Sequence, residues 1–154
     1  MSNQVFFTAV AHDLLRVVDA SRPALQAMSD AQAGRPRAAG KWSAKQVIGH
    51  LIDSAANNHQ RFVRAQQGSG LEFPGYLQDD WIAVQHYDDR TWSELTQLWQ
   101  SYNRHVAHVI AHIPDDRRDV SCAIGANPPV TLLFVAQDYV RHLRHHLEQI
   151  GCRP

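Results

Sequence analysis

The chain has 154 residues, 44% of them apolar, and its 15 Lys plus Arg balance 15 Asp plus Glu. That is enough for one domain, residues 1–154, with a real core. The even charge argues against a partner such as nucleic acid or an anionic membrane. No apolar run approaches the ~18 residues of a membrane span. Met1 to Leu15 has no basic start and carries Asp13 inside its apolar stretch, unlike a signal peptide. A cytoplasmic protein is expected. Cys122 and Cys152 form no C-x-x-C, so neither a disulfide framework nor a zinc knuckle is implied. The compositional oddity is ten histidines.

In chain order, Phe7, Val10, Leu14, Val17 and Val18 recur at helical spacing and predict a helix over 3–20. Pro23 then kinks it or opens a new segment capped by Ser21 and running to about Met28. His12, beside Asp13 and Arg16, belongs to its solvated side. Residues 29–41, rich in Ala, Gly, Pro and Arg, read as a loop. Ser43 to Gln46 is a capping box with Trp42 as the apolar residue before it, so a second helix is expected over Ala44 to Gln67. Its apolar face is Ile48, Leu51, Ile52, Ala55, Phe62 and Val63. Roughly opposite run His50, Asp53, Ser54, Asn57 and Arg61. That stripe lacks lysine and glutamate, and its short hydrogen-bonding side chains suit a half-buried polar pocket.

Residues 68–90 make a long connection with a short helix expected around Asp79 to Gln85. Loops of this length without structure are uncommon unless functional. Its Tyr76, Trp81, His86 and Tyr87 suggest that it folds over something, with Trp81 and Tyr87 closing a pocket. It also lets the next helix run parallel to the one before. Thr91 to Glu94 is another capping box. The third helix carries Leu95, Trp99, Tyr102, Val106, Val109, Ile110 and Ile113 and ends at Pro114. Its His105, His108 and His112 flank this stripe with no acidic companion, and read as polar residues rather than ligands. A polar loop over 114–130 holds Cys122, taken as a small loop residue, and the fourth helix runs from about Thr131 to Ile150. Four helices, no strand signals and one long connection predict an all-α four-helix bundle.

The fourth helix concentrates three histidines in five residues, His142, His145 and His146. Residues four apart share a helix face. His146 borders the apolar face Leu132, Ala136, Tyr139, Leu143, Leu147 and Ile150, and His142 comes next to it. His145 turns towards Arg141, Arg144 and Glu148. A metal site on this pair needs another ligand. His50, on the polar stripe, is the best candidate, with Asp53 placed to orient it and Asp138 placed to orient His142. Imidazole suits zinc, nickel, iron or copper, and three neutral ligands leave open positions for water or substrate.

At these residues the chain resembles the DinB/YfiT-like superfamily of metal-binding four-helix proteins. Lys41-Trp42-Ser43, Gly49-His50-Leu51-Ile52-Asp53-Ser54 and Arg61-Phe62 are similar to its second-helix motif. Tyr76, Asp80-Trp81 and Gln85-His86-Tyr87 resemble its central connection, and Asp138-Tyr139, His142, His145-His146 and Gln149-Ile150 its fourth helix. The resemblance implies an up-down-down-up bundle with its long crossover between helices two and three, and a homodimer. It implies a divalent metal (zinc, nickel, iron or manganese) on His50, His142 and His146, with His145 the substitute for His146 if the helix is rotated. Asp53, Asn57 and Arg61 would line the substrate pocket. It also implies a metal-dependent enzyme acting on a small molecule. The leading expectation is transfer of a low-molecular-weight thiol to an electrophile; the alternatives are hydrolysis by activated water and a non-catalytic helical interaction module.

Overall fold

A computed structural model describes residues 4–154. Amphipathic periodicity and side-chain caps set its four long helices: α1 (Phe6–Ala27), α3 (Ala44–Ala65), α5 (Trp92–Ala111) and α6 (Leu132–Gln149). Ser43 and Thr91 accept hydrogen bonds from the backbone of Gln46 and Glu94 and receive their side chains' reciprocal contacts, so both expected capping boxes form. The expected helical start at residue 3 lies outside the described residues. Pro23 neither breaks nor restarts α1. It lies near the C-terminus, where it deletes one backbone bond, and Ser21 bonds back to the Val17 carbonyl at 2.8 Å instead of capping a new segment.

Contacts between the helices define their directions. Arg144 grips Asp13 at 2.6 and 2.9 Å, and Ala27 and Met28 lie beside Gln149 and Ile150, so α1 and α6 run parallel. The Trp92 indole donates to the Leu25 carbonyl at 2.8 Å and Arg104 meets Asp19, which makes α5 antiparallel to α1. His50 faces His142 and Phe62 faces Tyr139, so α3 opposes α6. Lys45 reaches the Asp88 carbonyl and His59 reaches Tyr102, so α3 and α5 run together. The result is an all-α, up-down-down-up bundle, as expected. Its core holds Phe7, Leu14, Ile48, Leu51, Phe62, Trp99, Ile110 and Leu143, each essentially without solvent contact. Every such side chain contributes about 1.5–3 kcal/mol of hydrophobic stabilisation.

Two elements depart from expectation. Asp30–Ala33 forms a one-turn helix, α2, inside the expected loop, and Asp30 accepts from the Trp92 backbone at 2.7 Å and pairs with Lys45 at 3.1 Å. A small sheet joins the two long connections: β1 (Gly70–Phe73) pairs in parallel with β2 (Ser121–Ile124), which pairs antiparallel with β3 (Val130–Thr131). Four-residue strands are too short for a period of two to emerge from sequence, and β1 meets β2 only because the bundle brings the loops together. The crossover also carries the expected short helix, α4 (Gln78–Gln85). Among the described residues no helix is long and apolar enough to cross a membrane.

Candidate metal centre

The polar stripe of α3 faces inward. His50, Asp53, Ser54, Asn57 and Asn58 are all buried. Asn57 and Asn58 bond back to the carbonyls of Asp53 and Ser54 at 2.9 Å. Gly49 lets the crossover dock here, since a Cβ at that position would stand 2.2 Å from Cδ2 of Tyr87. The docked Tyr87 donates its hydroxyl to Asp53 Oδ1 at 2.6 Å, and Gln85 Nε2 donates to the same oxygen at 2.8 Å. Burial raises the pKa of Asp53, and these two bonds oppose that rise. Asp53 therefore fastens the crossover rather than orienting His50, whose Nδ1 is buried without a partner among the described residues.

His50, His142 and His146 each offer a ring nitrogen, and the three lie within 4.8 Å of one another. His50 Nε2 stands 3.1 Å from His142 Nε2. Two neutral imidazoles at this distance must either share a proton or turn both lone pairs on a common cation. The nitrogens of a tetrahedral zinc site stand about 3.3 Å apart, so the spacing fits such an ion. Burial first, then mutual repulsion, pushes His50 down to about 3 and His142 to about 4; His146 is lowered by burial too. All three are thus held in the neutral form that ligation needs. Trp42 packs against His50 with ring centroids 5.1 Å apart and against His146 at 6.4 Å. The expected helix-leading apolar residue is thereby also a wall of the centre.

The side chain of Gln149, a motif residue with no role expected of it, lies with Oε1 3.1 Å from His146 Nδ1. An amide oxygen only accepts, so the ring proton sits on Nδ1 and Nε2 is left free. His145 is exposed and stands outside the cluster. Asp138 pairs with Arg141 rather than with His142. The residues His105, His108 and His112 form an exposed row on α5, joined by His59 and distinct from the triad.

Beside the triad opens a cleft of about 550 Å³ lined by Ser54, Asn58, Arg61, Tyr76, Cys122, Val130, Phe134, Val135, Asp138, Tyr139 and His142, among others. Of the residues expected at a substrate pocket, Arg61 lines it. Asp53, Asn57 and Tyr87 are buried outside its lining, and Trp81 packs against the lining residue Tyr76 with centroids 4.9 Å apart. Cys122 corrects the sequence expectation: it is a buried strand residue in the cleft wall, not a loop residue apart from it. Its pairing with Leu71 of β1 on one side and Val130 of β3 on the other places it there. Burial raises its thiol pKa, so it is a poor nucleophile.

The chain is similar to several known proteins. A Bacillus subtilis (strain 168) protein named "Putative metal-dependent hydrolase YfiT" is 32% identical over 48% of this chain and 35% of its own length. A Geobacillus thermodenitrificans protein named "Putative metal-dependent hydrolase" is 24% identical over 86% of this chain and 75% of its own. The chain thus matches about a third of the first relative's length and three quarters of the second's. The solved structure of YfiT from Bacillus subtilis, described as a "probable metal-dependent hydrolase with an unusual four-helix bundle topology", superposes with a TM-score of 0.82. That match has 22% identity and covers 97% of this chain and 86% of that one, and it establishes the shared fold. Residues 13–150 match the family model of the DinB superfamily, and with this fold and a potential divalent-metal site at His50, His142 and His146 the chain belongs to that superfamily.

Proposed function

We propose that the protein is a metal-dependent hydrolase of small molecules, with His50, His142 and His146 as its metal ligands. The observation that carries this reading is the convergence of three neutral imidazoles from two helices at a cleft that shares His142. The hydrolase names of the relatives support hydrolysis over the thiol transfer expected from the sequence. A divalent cation held there would act as a Lewis acid, lowering the pKa of bound water, or of a thiol in the alternative chemistry. The chain's own contribution is positional. Gln149 sets the tautomer of His146, Trp42 limits solvent at His50, and the Asp53–Tyr87 bond pins the crossover beside α3. The apolar wall of Val130, Phe134 and Val135 would hold a substrate's carbon skeleton. No protein nucleophile is required.

The test is elemental analysis of untagged protein and its His142→Ala variant, followed by assay of the metal-loaded form. About one divalent metal per chain, lost in the variant, and turnover of a small ester or amide without added thiol are expected. Turnover only with a low-molecular-weight thiol and an electrophile would move the assignment to transfer. No stoichiometric metal after reconstitution would overturn the metal-dependent reading itself.

A further inference from the structure

Arg61 stands apart from the other cleft residues. It projects from α3 eleven residues beyond His50, a rise of about 16 Å along the helix. Its side chain is half-buried and borders the cleft. Six other arginines, at 16, 90, 104, 118, 141 and 144, meet a carboxylate, and Arg117 donates to the backbone carbonyls of Ala65 and Gly68. Arg61 pairs with no carboxylate among the described residues. Its Nη1 has a long 3.4 Å contact to Asn58 Oδ1, its guanidinium lies over the Phe73 ring at 5.3 Å, and its Nε is buried without a partner. A guanidinium withdrawn from water with donors unused carries a desolvation cost that a bound anion would relieve.

We infer that Arg61 binds a carboxylate of the substrate, so that the cleft takes a small, otherwise largely apolar monocarboxylate. A carboxylate suits the site better than a phosphate ester. It accepts from the guanidinium fork with a single charge, whereas a dianion would find one cation here and Asp138 in the same wall. Phe134, Val135 and Tyr139 line the same cleft and favour a carbon skeleton. That the reacting bond lies at the triad end of the cleft rests on the function proposed above; the carboxylate position rests on Arg61 alone.

Calorimetric titration of the metal-loaded protein with benzoate, benzamide and phenyl phosphate tests this, alongside Arg61→Gln and Arg61→Lys. Benzoate should bind about tenfold or more tighter than benzamide. The preference should vanish in Arg61→Gln and return in part in Arg61→Lys. Equal binding of benzoate and benzamide by the wild type would overturn the inference. So would tight benzoate binding retained in Arg61→Gln, which would place the anion on the metal, or a preference for phenyl phosphate. Metal content measured on the same samples separates the two readings. A wild type without metal defeats the proposed hydrolase, while its benzoate preference still decides the role of Arg61.

Discussion

Two histidine clusters on this bundle start from the same sequence device and end differently. α6 carries His142 and His146 four apart, and α5 with its C-cap carries His108 and His112 four apart, both pairs with rings close together at 4.5 and 4.3 Å. The α6 pair is covered by α3, which supplies a third imidazole, removes water and depresses the ring pKa values. The α5 row is exposed; His59 joins only its His105 end, and the second ring nitrogen of His112 is turned to the His108 carbonyl at 2.8 Å. Spacing alone makes a pair of imidazoles. A facing helix makes a site.

The strongest way to break this contrast is to remove one triad ligand. His50→Ala or His142→Ala should abolish stoichiometric metal binding while circular dichroism keeps the helical signal, because neither side chain carries the bundle core. Next, Gln149→Ala removes the acceptor that orients His146, and such supporting contacts are worth about 10–100-fold in metal affinity; competition with a chelator would measure it.

A third test concerns pH and the metal-free protein. His50 and His142 hold folded-state values of about 3 and 4, against about 6.5 in the unfolded chain. Below pH 6.5 the unfolded chain takes up protons that the fold refuses. Stability should therefore be full above about pH 7 and fall towards pH 4, by up to about 1.4 kcal/mol per pH unit for each imidazole. Thermal melts across that window would show the slope, and His50→Asn with His142→Asn should flatten it.

Smaller still is Gly49→Ala, which drives a methyl into Tyr87 and should cost about 1–3 kcal/mol. The melting midpoint should drop by several degrees, with loss of the Tyr87–Asp53 bond. His108→Ala with His112→Ala should leave stoichiometric metal content and activity unchanged. A loss there would make the two clusters one functional unit.

The local features of this protein are legible in its amino-acid order. Capping boxes at Ser43 and Thr91 and apolar periodicity define the helices, because these signals act within a few residues. His142 and His146 share a face by helix geometry, and the missing lysine and glutamate on the α3 stripe marked it as buried. Whatever depends on distant segments meeting arises only in the folded molecule. The fold turned Asp53 towards Tyr87 rather than His50, and it built a sheet from three strands too short to signal themselves. It put Cys122 in the cleft wall and left Arg61 half-buried with no carboxylate partner among the described residues. Helix propensity and amphipathicity are written residue by residue along the chain; the partner of a buried polar group is set by whatever the fold brings to it.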